Sequence, residues 1–234
     1  MTKRLLVLGL LLAGGAATLF FLASSPTPAL QNAAKPIKSP VVDIAALRSR
    51  ADAGDPRAQV RLGDAYAKGE GVTNSYLDAA KWYRLAANQG DAEARLALGE
   101  LHEAGQGVPR DLDQAVKLYR QAAEQGLARA QYTLAFMYEA GRGVPKSQIE
   151  AANWFRKAAE QGDPVAQYDL GQRYNLGVGV SVDQSEALKW FILAAKQGQS
   201  DALTRGERIK KNMTRDQIAE AERRVADFGE SKPR

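Results

Sequence analysis

Cysteine is absent from the 234 residues, and histidine occurs once, at position 102. The first absence removes disulfide staples, thiolate nucleophiles and zinc–thiolate sites together. The second leaves any nucleophile–base pair with a single candidate base, and no histidine cluster for a transition metal. No stretch shows sustained two-residue apolar alternation, so no sheet is expected. Acidic residues are missing from positions 1–40, which carry four basic ones. Beyond that stretch the signs nearly cancel, with 17 basic against 19 acidic residues over 54–201 and nine against six over 202–234. The formal net charge of +5 therefore comes from the two ends. A nucleic-acid binder displaces phosphate counterions with a basic face, and the foldable body has no such excess, so no nucleic-acid partner is expected.

What is present begins with an apolar run. Lys3 and Arg4 precede an uncharged stretch from Leu5 to Ala23, the arrangement of a secretory signal or signal anchor over residues 1–23. As a helix, such a run spans about 28 Å, close to the ~30 Å hydrocarbon core, which favours an uncleaved anchor. Several glycines in the run and the small-residue site Thr27-Pro28-Ala29 favour a cleaved signal. Both readings export the remainder, either anchored to the inner membrane with the repeats in the periplasm or soluble in the periplasm. Residues 24–40, with four prolines and three serines, read as an extended linker.

From there the chain repeats. Glycine recurs at positions 54, 90, 126, 162 and 198, a constant step of 36 residues. Ala58, Ala94, Ala130 and Ala166 coincide under that step, as do Leu62, Leu98, Leu134 and Leu170. Each unit then carries Gly-x-Gly-Val, as at Gly69-Glu70-Gly71-Val72. Its second half aligns Trp82, Leu118, Trp154 and Trp190, followed by Tyr83, Tyr119, Phe155 and Phe191, paired alanines and a glutamine. Ala58, Leu62 and Tyr66 lie four apart, one helical stripe. Ala79, Trp82, Tyr83, Ala86 and Ala87 form a wider one. The first glycine of Gly-x-Gly is expected to cap the first helix in the left-handed conformation, and the second to keep the turn flexible enough to reverse. These pairs follow helices and lack a third glycine, so they are not a dinucleotide loop. No cofactor, metal or catalytic residue is assigned, and His102 is read as a stand-in for the tyrosine of the other units.

The units are repeats 54–89, 90–125, 126–161 and 162–197. Short hairpins cannot bury both stripes alone, so they are expected to stack into a continuous core with helical caps. Residues 41–53 supply the first cap and 198–234 the last. There, Thr214 with Gln217 fits a capping box ahead of the apolar stripe Ile218, Ala221, Val225 and Phe228. Trp82, Trp154 and Trp190 are read as core.

The pattern AxxLGxxY, GxGV and AxxW[YF]xxAAxxG at this period resembles the Sel-one-like repeats, relatives of the tetratricopeptide repeat. Departures from the pattern are His102 for tyrosine, Ala135 for glycine and Leu118 for tryptophan. The resemblance implies an all-α fold, a right-handed α-α superhelix. It also implies a non-enzymatic adaptor that binds a protein or peptide, often in the bacterial envelope. A cysteine-rich branch linked to β-lactams suggests a cell-wall-associated or β-lactam-processing enzyme as the alternative, and this chain lacks those cysteines.

In such arrays the first helices line a concave groove. Carried onto this chain, the groove residues are Arg57, Asp64 and Lys68 in the first repeat, and Glu93, Glu100 and Glu103 in the second. The third repeat contributes Arg129, Tyr132, Phe136 and Glu139, and the fourth Tyr168, Gln172 and Asn175. Val60 and Leu96 share the register of the two tyrosines. Aromatic anchors among carboxylates suit a basic or polar ligand, although the shared register also suits packing between repeats.

Overall fold

Hairpin follows hairpin along the chain. The computed structural model describes residues 43–230, and among them it contains helices and no strand. The export segment and linker read from the sequence lie outside the described residues. Helix α1 (Ile44–Asp52) precedes four hairpins: α2 (Pro56–Lys68) with α3 (Tyr76–Asn88), α4 (Ala92–Ala104) with α5 (Leu112–Glu124), α6 (Ala128–Ala140) with α7 (Gln148–Glu160), and α8 (Pro164–Leu176) with α9 (Gln184–Lys196). Helices α10 (Ser200–Lys210) and α11 (Arg215–Glu230) follow. Each first helix packs on its own second helix, and each second helix packs on the next first helix, which makes an α-solenoid. Among the described residues, no helix is long and apolar enough to cross a membrane.

Caps recur at the same places in the hairpins, at the N-termini of seven of the eight hairpin helices and at the C-terminus of every first helix. Asp55, Asp91 and Asp163 accept hydrogen bonds from the backbone N–H groups of Ala58, Ala94 and Ala166 at the starts of α2, α4 and α8. Leu127 stands at the corresponding place before α6 and makes no side-chain cap. Ser75, Asp111, Ser147 and Asp183 cap the second helices in the same way. At the other end of each first helix, glycine takes the left-handed conformation with φ of 70–74°.

The second glycine of the Gly-x-Gly in the second, third and fourth repeats has a different role from the flexible reversal expected of it. A β-carbon on Gly143 would lie 2.6 Å from the carbonyl oxygen of Leu112, at the start of α5 in the preceding repeat. Gly107 and Gly179 meet the backbone of Tyr76 and Gln148, at the starts of α3 and α7, even more closely. These glycines are seating points between repeats. Their side chains are excluded by the neighbouring backbone as well as by a positive φ.

Small residues and aromatic rings fill the interior. Tyr119, Phe155 and Phe191 are fully buried, and so are Ala79, Ala115, Ala151 and Ala187 one turn earlier. A polar ladder runs alongside. Gln59, Gln131 and Gln167 are buried, and each donates from Nε2 to an alanine carbonyl of the preceding helix, Ala51, Ala123 or Ala159, at 3.0–3.1 Å. Each also accepts from the glutamine that closes its own repeat, Gln89, Gln161 or Gln197. Every polar atom of the ladder that is taken out of water has a partner, which fixes the register of one repeat on the next.

Trp154 and Trp190 are core, as expected, but Trp82 is only half-buried. Trp82 packs beside Leu47, Ala51, Ala58 and Leu62, where the preceding element is the nine-residue α1 with no hairpin partner of its own. At the far end, both α10 and α11 pack on α9. Thr214 and Gln217 form a reciprocal capping box, with Thr214 N–H donating to Gln217 Oε1 at 2.9 Å and Gln217 N–H to Thr214 Oγ1 at 3.2 Å. Arg224 of α11 reaches the carboxylates of Asp183 and Glu186 at 2.9 Å each. The Phe228 ring stands edge-on to Trp190 at 5.4 Å.

Candidate partner-binding face

The thirteen groove residues divide by how they are held. Arg57, Lys68 and Glu93 are exposed. Glu100 pairs with Arg129 at 2.8 Å, linking α4 to α6. Asp64 accepts a hydrogen bond from Tyr83 Oη at 2.7 Å, and Glu103 accepts one from Tyr119 Oη at 2.7 Å while also pairing with Arg142. Burial, followed by these carboxylates, pushes both phenols well above the ordinary tyrosine range, so they remain neutral donors. The backbone carbonyl of Asn175 accepts a bond from Gln184 at 3.4 Å.

The register shared by Val60, Leu96, Tyr132 and Tyr168 belongs chiefly to the seam between repeats. Leu96 is fully buried, and Val60 packs into the cluster formed by α3 and α4. Neither is a groove residue, because a branched apolar side chain at this register fills the space between successive repeats. Tyr132 and Tyr168 are half-buried in the same way. Tyr168 leans on Phe191 at 5.9 Å, and Tyr132 donates its hydroxyl to Asp169 Oδ2 at 3.0 Å.

Between α6 and α8 the face opens into a cleft of about 220 Å³, lined by Phe136, Glu139, Asp169, Gln172, Arg173, Leu176 and Val178. Phe136 is 42% exposed, yet its ring is fixed by edge contacts with Tyr132 at 4.9 Å and Phe155 at 5.3 Å. Arg173 is only 6% exposed. It donates to Glu139 at 2.6 Å and Gln148 at 3.0 Å, and its guanidinium lies 4.5 Å over the Phe155 ring, while Nε has no hydrogen-bond partner among the described residues. Burial raises the Asp169 carboxyl above its ordinary range, although the Tyr132 hydroxyl and Arg173 act in the opposite direction. The cleft therefore combines a rigid aromatic surface with acidic walls held by a buried cation.

Sequence reasoning placed Phe136, Glu139 and Gln172 here and missed Asp169 and Arg173. Arg173 occupies the register of Ala65, Leu101 and Met137, so a charge at an otherwise apolar register was the available signal. Among the described residues, no group of three or more histidine, cysteine or carboxylate side chains could hold a metal ion.

The Sel1 repeat matches at residues 56–91, 92–127, 128–163 and 164–199, more than half of the chain. The chain belongs to the Sel1 repeat family. Its units in that description begin two residues after those counted from the glycines, at the first residue of each first helix. Among solved structures, it is similar to a protective antigen of uropathogenic Escherichia coli strains displaying an SLR fold. Identity is 34% over 80% of this chain and 41% of that one, with a TM-score of 0.71. It is also similar to a Sel1 repeat protein from Oxalobacter formigenes, with 38% identity over 68% of this chain and 65% of that one and a TM-score of 0.64. The chain thus spans 41% and 65% of the lengths of these two relatives. No curated protein matches it. Sel1 repeat proteins are generally protein–protein interaction scaffolds.

Proposed function

We propose that this Sel1 array is a non-enzymatic docking scaffold of the bacterial envelope, which holds a protein or peptide segment on its first-helix face and anchors it in the α6–α8 cleft. The observation that carries this reading is Phe136. At its register the other repeats carry Asp64, Glu100 and Gln172, whereas here a phenylalanine is fixed on a ring cluster and still 42% exposed. A rigid aromatic surface loses little entropy when it is covered, which is why such residues dominate interface energy. Asp169 and Glu139 on the cleft walls favour a segment that presents an apolar side chain beside a basic one. The basic and apolar start of the sequence supports placement outside the cytoplasm, with membrane attachment through that segment if it is uncleaved.

The test is a comparison of Phe136→Ala with the unaltered full chain in crosslinked envelope fractions, with helicity followed by circular dichroism. The stoichiometric partner recovered with the unaltered chain should fall about tenfold or more, as loss of an interface anchor predicts, without loss of helicity. Undiminished recovery removes the cleft from the reading. Alkaline extraction together with sequencing of the mature N-terminus separates anchor from cleaved signal.

A further inference from the structure

In a repeat array each unit serves as a control for the others, and the second repeat departs from its siblings at four registers that converge on one place. Where the array carries Gln59, Gln131 and Gln167, it has Arg95. Where the array has Tyr66, Tyr138 and Tyr174, it has His102. Where the array has Asp78, Glu150 and Glu186, it has Gln114, and where the array has tryptophan, it has Leu118. All four line a single cleft of about 500 Å³ between α3, α4 and α5, together with Arg84, Lys117 and Asp111.

Three of the departures remove a partner or add a cation, and the fourth, Leu118, makes room. Elsewhere the arginine at the register of Arg84 donates to the repeat tyrosine: Arg48 to Tyr66, Arg120 to Tyr138 at 2.8 Å and Arg156 to Tyr174 at 2.9 Å. In the second repeat that acceptor is replaced by His102, whose Nδ1 lies 3.3 Å from the Pro109 carbonyl oxygen. In the first and fourth repeats the lysine at the register of Lys117 pairs with the acid three residues before it, Lys81 with Asp78 at 2.9 Å and Lys189 with Glu186 at 2.8 Å, while the third carries Asn153 there. Gln114 removes that acid. Arg95 takes the place of a neutral ladder amide, and Leu118 replaces a tryptophan ring with a smaller side chain, leaving the floor open. Among the described residues no carboxylate pairs with Arg84, Arg95 or Lys117. The one carboxylate on the wall, Asp111, caps α5 by accepting from Gln114 N–H at 2.9 Å.

We propose that this cleft is a second binding site, for a compact oxyanion ligand bearing at least two negative charges, a phosphoryl or polycarboxylate group. Two guanidinium forks and an ammonium that have no carboxylate partner among the described residues line this one cleft, so an oxyanion placed in it meets uncompensated positive charge. Guanidinium groups match the paired oxygens of such a ligand, and the Gln114 amide adds a neutral donor. The site is built from α3, α4 and α5 and shares no lining residue with the α6–α8 cleft, so it stands independently of the docking reading.

The test is a titration of the full chain with pyrophosphate and with citrate at low ionic strength, where screening is weak. It is read by calorimetry and by the ring resonances of His102, the sole histidine. Saturable binding of either anion that moves the His102 signals is expected, together with a loss of affinity of at least about tenfold in R95Q/Q114E. That variant restores residues the other repeats already carry, so its thermal melt should resemble the parent's. Binding of pyrophosphate alone assigns a phosphoryl ligand, binding of citrate alone a polycarboxylate, and binding of both the shared oxyanion chemistry. If neither anion shifts the His102 resonances of the unaltered chain, or if R95Q/Q114E binds as tightly as its parent, the site does not exist.

Discussion

Asp169 shows how a single residue can sit against its own preference. Burial raises its carboxyl pKa above the unfolded value of 3.8 despite help from the Tyr132 hydroxyl and Arg173. The folded form therefore holds the proton more tightly than the unfolded chain does. Stability from the protonated group is fully present below 3.8 and is lost as the pH rises through the raised folded value, so at neutral pH the carboxylate is a net cost. Asp169→Asn should melt a few degrees higher than the parent at pH 7, because the amide oxygen still accepts from Tyr132. That advantage should shrink as the pH falls towards 4. Thermal melts of both chains across that range check this, and an advantage that persists undiminished at acid pH removes burial as the cause. Neither Asp169 nor Arg173, both on α8, was singled out from the sequence, because their significance lies in contacts with α6, Asp169 with Tyr132 and Arg173 with Glu139. Phe136 stood out because an aromatic among the carboxylates of the first-helix face is visible in the sequence itself.

At the scale of the element, a recurring residue can be legible while its reason is not. The Gly-x-Gly pairs mark every first-helix terminus, and the left-handed cap follows from local chemistry alone. The second glycine is explained only by the backbone of the preceding repeat, a contact that periodicity within one unit cannot reveal. Gly143→Ala must fit a β-carbon 2.6 Å from the Leu112 carbonyl oxygen at φ +66°, whereas Gly126→Ala, at φ +91°, meets nothing within 4 Å. The first should cost more than about 2 kcal/mol, from strain plus a displaced interface. The second should cost about 1 kcal/mol, from backbone conformation alone. Urea denaturation of the two variants makes the comparison, and equal losses would return the second glycine to a purely local role. The closing helix follows the same logic. Its capping box was readable from Thr214 and Gln217, but the clasp of Arg224 on Asp183 and Glu186 joins residues about forty positions apart. Arg224→Ala should cost about 1 kcal/mol, since the groups are partly hydrated, and should speed amide exchange in α11 above all.

Across the whole molecule, helices meet only near neighbours in the chain, so stability is a sum of local interfaces and need not be uniform. This is also why so much of the fold could be read from the sequence. A solenoid has no long-range pairing to discover once the unit is known, and only the ends depart from the pattern. The same property makes the consequences of damage directional. Trp190 is 2% exposed, lying among Ala158, Ala159, Ala166 and Leu170 with Phe228 against its edge, while Trp82 is only partly buried beside the short α1. Trp190→Ala should cost about 3–5 kcal/mol, as for a large buried ring, and Trp82→Ala roughly half of that or less, because less surface is uncovered. Hydrogen exchange should place the lost protection of Trp190→Ala in α7 through α11 and leave α2 through α5 near their original rates. A uniform loss along the chain would mean that the array unfolds as one indivisible unit, in which case neighbour-to-neighbour stacking does not govern its stability.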